Sequence, residues 1–488
     1  MRVSSEIHAS SHRKLDWKSI EWRKVEKKVK ELQMRIAKAI RAKKQRLVKS
    51  LQWLLTHSFY AKLMAVKRVV TNKGKWTPGV DGVIWTTPKQ KMQAVNLLKR
   101  RGYRPLPLRR VYIKKKSGKR RPLGIPTMTD RAVQALHALA LTPIAETRGA
   151  PNSYGFREFR SCADAIEQCF ICLAKKRSAR WILEADIQAC FDRIDHDWML
   201  KNIPMDKKIL RAWLKAGYVD KGKLYPTKAG TPQGGIASPV LANMTLDGLE
   251  AAINRVAPRN AKVHVIRYAD DFIVTADSKE TLQEKVIPAI RGFLGERGLN
   301  LSGEKTKITR IEDGFNFLGH HLRKHGEKLI ITPSKASVRS LIDKARMIMK
   351  ANLGHRTFKM IEELNAVIRG WANYYRYVCS KATFAYVDSI IYRNLWKWAK
   401  RRNKNKGKRW LWKHYFRTVG SRNWSFFATD TSERGESMGI DLLKASMIKI
   451  VRHIKIRAEA NPYAERWQKY FHRRLTRKYY AAIPYTPY

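Results

Sequence analysis

The sequence predicts a multidomain α+β protein. Short β-like runs interleave with helical stretches between residues 100 and 330, and the chain on either side has helical periodicity. At 488 residues, 44% of them hydrophobic, there is apolar material for roughly two to four domains. From Trp17 to about Tyr60, Val25, Val29, Leu32, Ile36 and Ile40 recur at three- and four-residue steps between basic positions, which gives one core face and one basic face. Turn signals follow at 72–75 (NKGK) and 78–82 (PGVDG). VYIKKKSGKRRPLGIP, 111–126, predicts a hairpin through a Lys-Ser-Gly turn. WILEADI, 181–187, and VHVIRYADDFIVTA, 263–276, are the strongest strands; the second is apolar on both sides of its centre, as in a hairpin crossing a buried sheet. Helices are expected at 131–146, 161–175, 206–216 and 280–297. Beyond about residue 333 the β signal fades: 335–352 and 358–402 predict helix, 430–437 (DTSERGES) a linker, and 440–480 a basic segment. Residues 1–16 are polar and predict a disordered tail.

Charge narrows the partners. Lys and Arg total 100 against 40 Asp and Glu, a formal net charge of +60. Self-repulsion at that level opposes compaction, and a polyanion such as nucleic acid is what neutralises it. Between 397 and 409 (KWAKRRNKNKGKR) eight of thirteen residues are basic, flanked by Trp396, Trp398, Trp410 and Trp412. Basic residues among aromatics suit RNA, whose unpaired bases stack and whose phosphates attract cations; a Trp-lined helix pair with a wet basic face gives the same pattern. Arg401, Arg402, Lys404, Lys406, Lys408 and Arg409 are the candidate RNA contacts. The five cysteines are too scattered for a disulfide framework, and Cys169 and Cys172 lack a second ligand pair at zinc spacing, so they predict a buried helix face. No 18-residue apolar run predicts a membrane span, and the first residues carry no apolar secretory stretch.

The chemistry-bearing residues are acids. Asp270 and Asp271 are adjacent in a strand-like run, where Asp is disfavoured and successive side chains point to opposite faces. A tight bend is needed to bring both to one site, and a cation to offset their repulsion; Mg²⁺, a hard ion with oxygen ligands, suits. Asp186 ends the apolar run WILEA and supplies a third carboxylate, although an acid there also suits a helix cap. Three carboxylates from two strands can hold two divalent ions, a clamp that activates a hydroxyl nucleophile and stabilises a leaving pyrophosphate.

DIQACFD (186–192), TPQGG (231–235) and YADD (268–271) in that order resemble the motif series of reverse transcriptases. RRPLGIPTMTDRAVQ (120–134), NSYGFR (152–157), AGTPQGGIASPVLANM (229–244), LNLSGEKTKI (299–308) and FNFLG (315–319) are similar to the enzymes encoded by group II introns. GVDG (79–82) resembles the motif before the fingers, IRGWANYYRYVCSK (368–381) the maturase domain or thumb, and RHIKIRAEANPY (452–463) the DNA-binding segment. The resemblance implies a right-hand polymerase: an N-terminal extension and start of the fingers over 17–110, fingers and palm over 111–330, a helical thumb or maturase domain over 331–428, and a linker with a basic DNA-binding segment over 429–488. It implies Asp186, Asp270, Asp271 and the Ile187 carbonyl as ligands of two Mg²⁺, with Mn²⁺ as an alternative. It places Phe191 under the sugar of the incoming dNTP as a gate against the 2′-hydroxyl, Gln233 and Gly234 along the nucleotide pocket, Lys115 and Arg121 on the triphosphate, and Lys305 as a supporting cation.

It further implies RNA-directed DNA synthesis, assistance to splicing of an intron RNA, and intron mobility by target-primed or fork-primed copying. The partners would be that RNA, an RNA template with DNA primer, target DNA and dNTPs, in a bacterial cytoplasm or at its nucleoid, with dimerisation left open. A splicing-only maturase and a domesticated relative in host defence or DNA repair are the alternatives. Two local departures stand out. Ile113-Lys114-Lys115 lacks the family's proline, and Glu158-Phe159-Arg160 replaces Pro-Gly-Arg, putting an acid where the template backbone is expected. No cysteine follows Cys379, so no zinc-bound HNH nuclease is expected in this sequence.

Overall fold

The structure, a computed structural model, describes residues 16–114, 118, 120–231, 234–420, 422–431 and 437–482. The expected tail therefore lies outside the described residues, apart from Asp16. The N-terminal helical stretch divides into three helices, Trp22–Arg41, Gln45–His57 and Phe59–Thr71. The first break falls at Lys43, which has φ 55°; the second is Ser58, whose extended backbone ends one helix and starts the next. Val25, Val29, Ile36 and Ile40 are buried, as their spacing requires. These helices pack on Met128–Arg148, which is buried along most of its length.

Leu108–Lys114 and Arg120–Ile125 form the expected antiparallel hairpin, with Val111 opposite Leu123. Most of its turn, residues 115–117 and 119, lies outside the described residues. The first strand also pairs with Tyr218–Asp220, which continues into Lys223–Tyr225 and completes a four-stranded fingers sheet. The palm sheet has the order His264–Tyr268, Asp271–Ala276, Trp181–Asp186, Lys307–Arg310, all antiparallel. Its alternating side chains divide two cores. Leu183, Phe272 and Val274 join the core shared with the N-terminal helices, while Ile182, Ile266 and Ile273 join the one shared with the C-terminal half. Both faces are covered, so its strands read as continuous apolar runs. Cys169 is fully buried on helix Cys162–Leu173, and Cys172 is half-buried, 3.2 Å from Gln168 Nε2, consistent with a packed helix face.

Three helices follow the palm, Lys335–Ala351, Thr357–Tyr375 and Lys381–Arg402. Beyond them the structure departs from the expected all-helical region. Phe416–Val419, Arg422–Thr431 and Ser437–Asp441 form an antiparallel sheet. The stretch 430–437 joins two of its strands, with Thr431 opposite Ser437, instead of linking separate units; 432–436 lie outside the described residues. The alternation of Trp424, Phe426 and Ala428 carries this sheet, and Phe426 packs on Trp398 and Tyr415. Among the described residues no helix is long and apolar enough to cross a membrane.

The C-terminal segment folds back onto the palm and fingers. Its anchor is Asp164, whose side chain is fully buried. The carboxylate accepts from Ser161 N at 2.9 Å, Ile456 N at 2.8 Å and Arg474 Nη2 at 2.7 Å, and lies 2.9 Å from His453 Nε2. Burial pushes this carboxyl up, but His453, Ser161 and Arg474 outweigh it and hold it well below the usual carboxylate range. The departure at 158–160 belongs to the same contact. Glu158 accepts a hydrogen bond from Tyr463, the Phe159 ring lies 4.7 Å from that of Phe471, and Arg160 Nη2 donates to Ala458 O at 2.9 Å. The acid expected near the template backbone is thus bonded to the protein's own C-terminal segment. Removing one member of a buried, hydrogen-bonded charge cluster costs roughly 3–5 kcal/mol. Asp164→Ala is therefore expected to expose residues 445–476 to limited proteolysis and lower the melting temperature; an unchanged digest pattern would remove Asp164 as the anchor.

Candidate active site

The central palm strand ends at Asp186, directly opposite Asp271 on the neighbouring strand. Tyr268 pairs with the same Asp271 from the other side, so Ala269 and Asp270 form the two-residue turn of the hairpin. Ala269 takes a left-handed φ of 59°, the bend needed to bring two adjacent acids to one end of the sheet. Burial pushes the Asp271 carboxyl up to about 7, helped by the charges of Asp186 and Asp270. Asp270 is raised by burial too, with Asp186 adding and Arg121 and Lys305 opposing. Lys305 Nζ donates to Asp186 Oδ2 at 2.6 Å. Among the described residues no group of three or more acids, His or Cys already converges as a metal cage. The donor set nonetheless fits a hard divalent cation: three carboxylates at one sheet end, with the Lys305 ammonium as a counter-charge on one of them.

Ile187 continues the strand and bridges Leu301, flanked by Ser302 N donating to Asp186 O at 2.8 Å and Gln188 N donating to Asn300 O at 2.9 Å. Because those bonds belong to its neighbours, the Ile187 carbonyl points away from this loop, towards the edge that carries Asp271. The same pairing places the 299–308 stretch, and with it Lys305, beside the acids.

Phe191 lies on the short helix Cys190–Arg193, half-buried, its ring 6.2 Å from that of Phe156 in an edge contact. The 229–235 loop crosses this turn closely. Thr231 N donates to Phe191 O at 2.6 Å, and a Cβ at Gly230 (φ 82°) would lie 2.5 Å from the same oxygen. Gly234, at φ 120°, passes so near the fingers that a Cβ there would lie 2.7 Å from Gly124 O. Arg121 is exposed on the fingers strand, close enough to Asp270 to favour its charged form. Lys115 and Gln233 lie outside the described residues.

The support beneath the acidic turn was not foreseen. Arg267 is almost fully buried. Its Nη1 donates to Ala269 O at 3.1 Å and Asn243 Oδ1 at 3.2 Å, and its Nη2 lies 3.4 Å from Asp247 Oδ1. Asn243 Nδ2 in turn donates to Gly155 O at 2.8 Å, and a Cβ on Gly155 would lie 2.3 Å from Ala269 N. The sequence carried one signal: a charged residue inside a largely apolar strand, two residues before the turn.

The basic cluster divides. Arg401, Lys404, Lys406, Lys408 and Arg409 are exposed. Arg402 donates to His355 O at 2.6 Å, closing the connection after helix Lys335–Ala351. Three of the flanking tryptophans pack inward: Trp398 on Phe426, Trp396 on Phe416, Trp412 on Trp424. Trp410, 37% exposed, stacks on His414.

An acidic turn between antiparallel palm strands, faced by a basic fingers hairpin, defines a template-directed polymerase. The family model described as reverse transcriptase (RNA-dependent DNA polymerase) matches residues 113–322, the N-terminal domain of reverse transcriptase matches 17–98, and the group II intron maturase-specific domain matches 338–422. Protein YkfC of Escherichia coli is 34% identical, covering 55% of this chain and 82% of its own. The group II intron-encoded protein LtrA of Lactococcus lactis is 28% identical, with 66% of this chain and 69% of that one covered. An uncharacterised 91 kDa protein in the cob intron of Schizosaccharomyces pombe is 28% identical over 67% of this chain and 51% of its own. The chain belongs to the reverse transcriptases encoded by group II introns, and it joins RNA-directed DNA polymerase and splicing-maturase functions in one polypeptide.

The displaced proton affinity of Asp271 has a stability consequence. Its ordinary value is 3.8 and its folded value about 7 in the metal-free protein, so the folded state holds a proton that the unfolded chain releases. The stability this contributes is present below the lower value and is lost as pH rises through about 7. Asp271→Asn should raise the melting temperature of chelator-treated protein at pH 8 and leave it nearly unchanged near pH 3; parallel pH profiles for the two proteins would contradict the burial argument.

Proposed function

We propose that Asp186, Asp270 and Asp271, with the Ile187 carbonyl, hold two Mg²⁺ ions for RNA-templated DNA synthesis. The observation that carries this reading is the direct pairing of Asp186 with Asp271 beside a turn containing Asp270. Bound there, divalent ions supply activation of the primer 3′-hydroxyl and charge stabilisation of the leaving pyrophosphate. The chain's own residues do the rest. Arg267 fixes the turn from below, so the carboxylates stay aimed at the sheet end without a bound ion. Lys305 offsets the Asp186 charge, and its ammonium would share that carboxylate with a bound cation. Arg121, with Lys115 on the same hairpin, neutralises the triphosphate, and Phe191 fills the space that a 2′-hydroxyl would need. Gln233 and Gly234 line the nucleotide pocket, Gly234 because no side chain fits against Gly124.

The exposed basic residues Arg401, Lys404, Lys406, Lys408 and Arg409 offer phosphate contacts to the intron RNA, and Arg402 joins them from a half-buried position in which it also donates to His355 O. Copying of that RNA into a new DNA site, primed at the target or at a replication fork, follows from the combination of polymerase, maturase and C-terminal basic segment.

Asp270→Ala combined with Asp271→Ala is expected to lower cDNA synthesis on a primed RNA template by at least ~10³-fold, the scale of losing a preorganised charge stabiliser. Intron RNA binding should be retained; extension that survives the double change would refute the site. Phe191→Ala should reduce the preference for dNTPs over rNTPs by ~10–200-fold, the range for one steric contact, read from the ratio of kcat/KM values. Unchanged sugar selection would remove Phe191 as the gate.

A further inference from the structure

A cavity of about 580 Å³ lies away from the acidic turn, between helix Gln45–His57, the helix Met128–Arg148 and the segment 201–209. None of the residues assigned above to metal, nucleotide or RNA lines it. Its floor is apolar, with Val48, Leu136, Ile203 and Met205 buried. Its rim carries Lys49, Lys99, Arg148, Lys201 and Lys207, none of which has an acidic partner among the described residues. The one acid there, Asp206, is paired with Arg100. Lys207 loses proton affinity through burial and through Lys49, and Lys62 nearby loses it through burial and through Lys99, so like charges are held close without compensation. At the mouth stands Trp53, 60% exposed, its indole stacked on the His57 imidazole at 4.2 Å and 22°. Gln52 Nε2, bonded to Pro204 O at 2.7 Å, ties this helix to the opposite wall and keeps the mouth formed.

A large exposed aromatic, an apolar floor and a ring of cations without acidic partners each match one part of a single ligand. A nucleobase has a flat apolar face that stacks on indole, and the phosphates on either side of it carry the charge that the lysines lack. The volume lies within the range of small-molecule sites, large enough for one base with its sugar and too small for a duplex. We infer that this cavity receives one unpaired nucleotide, flipped out of a bulge or loop of a bound RNA, with its base against Trp53 and its flanking phosphates on Lys49, Lys99 and Lys207. The inference rests on the reading that the chain binds RNA, and it adds a position where the shape of that RNA is sensed. The site reads an interruption in pairing, because stacking on an indole is available to any base, and it is remote from the polymerase residues.

The test uses the full chain, a labelled RNA hairpin with one bulged adenosine, and the same hairpin fully paired. The wild-type protein should bind the bulged hairpin more tightly. Trp53→Ala should weaken that binding about tenfold, to the level of the paired hairpin, and Trp53→Phe should restore most of it. Lys49→Gln with Lys207→Gln should lower affinity for both hairpins and flatten the dependence on salt. Extension of a primed homopolymer template should be unchanged in every variant. A 4-thiouridine at the bulge should crosslink to the peptide containing Trp53. Equal binding of both hairpins by wild type and Trp53→Ala would overturn the inference. So would full competition by free AMP, or a concentration-dependent dimer lost in Trp53→Ala; these outcomes would assign the cavity to a mononucleotide or to a second copy. Failure of the wild-type protein to bind either hairpin, or any structured RNA, would instead defeat the RNA-binding reading on which the inference stands.

Discussion

The backbone pairing that sets Asp186 opposite Asp271 is the constraint on which the rest of the molecule turns. Three carboxylates at one point repel, and the cost grows as water is excluded. The protein meets that cost with rigidity. The acids sit at the end of a sheet buried on both faces, on a turn whose carbonyl is held by a buried guanidinium. Side chains that would prefer to separate are fixed by main-chain hydrogen bonds they do not themselves make. What remains is a strongly negative spot in a chain of net charge +60, suited to a small dication and to the triphosphate that comes with it.

The same sheet organises the rest. Its two faces feed two cores, one with the N-terminal helices and one with the C-terminal half, so neither half is an appendage to the polymerase. The Asp164 cluster strengthens this union by binding the last basic segment to a palm helix with a charge-assisted network. Glu158 and Phe159 extend the contact. A segment expected to reach DNA thus begins on a surface rigidly related to the acidic turn.

Legibility in the sequence followed periodicity and spacing. The fingers hairpin, the palm strands and the large helices were evident because both sides of each apolar run are covered, or because one face is. The C-terminal sheet was not, because its period-two pattern spans only Trp424, Phe426 and Ala428 amid polar residues, and its turn region has the composition of a linker. The tryptophans around 396–412 read equally as stacking platforms or as core. Only packing against Phe416, Trp424 and Phe426 separated the three that face inward from Trp410, which remains partly exposed.

By itself the sequence determined the fold class and the order of motifs from 79 to 463, and it singled out the acids, since adjacent carboxylates in an apolar strand repel unless a cation offsets them. It also determined the polyanionic partner, because charge is additive and needs no geometry. The tertiary structure alone decided which residues support those acids, that Arg402 bonds to His355 O while its basic neighbours stay exposed, and that Glu158 is bonded to the C-terminal segment. It also formed the cavity beneath Trp53. Each of these depends on atoms tens to hundreds of residues apart coming within hydrogen-bond or van der Waals reach, and such contacts leave no periodic trace in the chain.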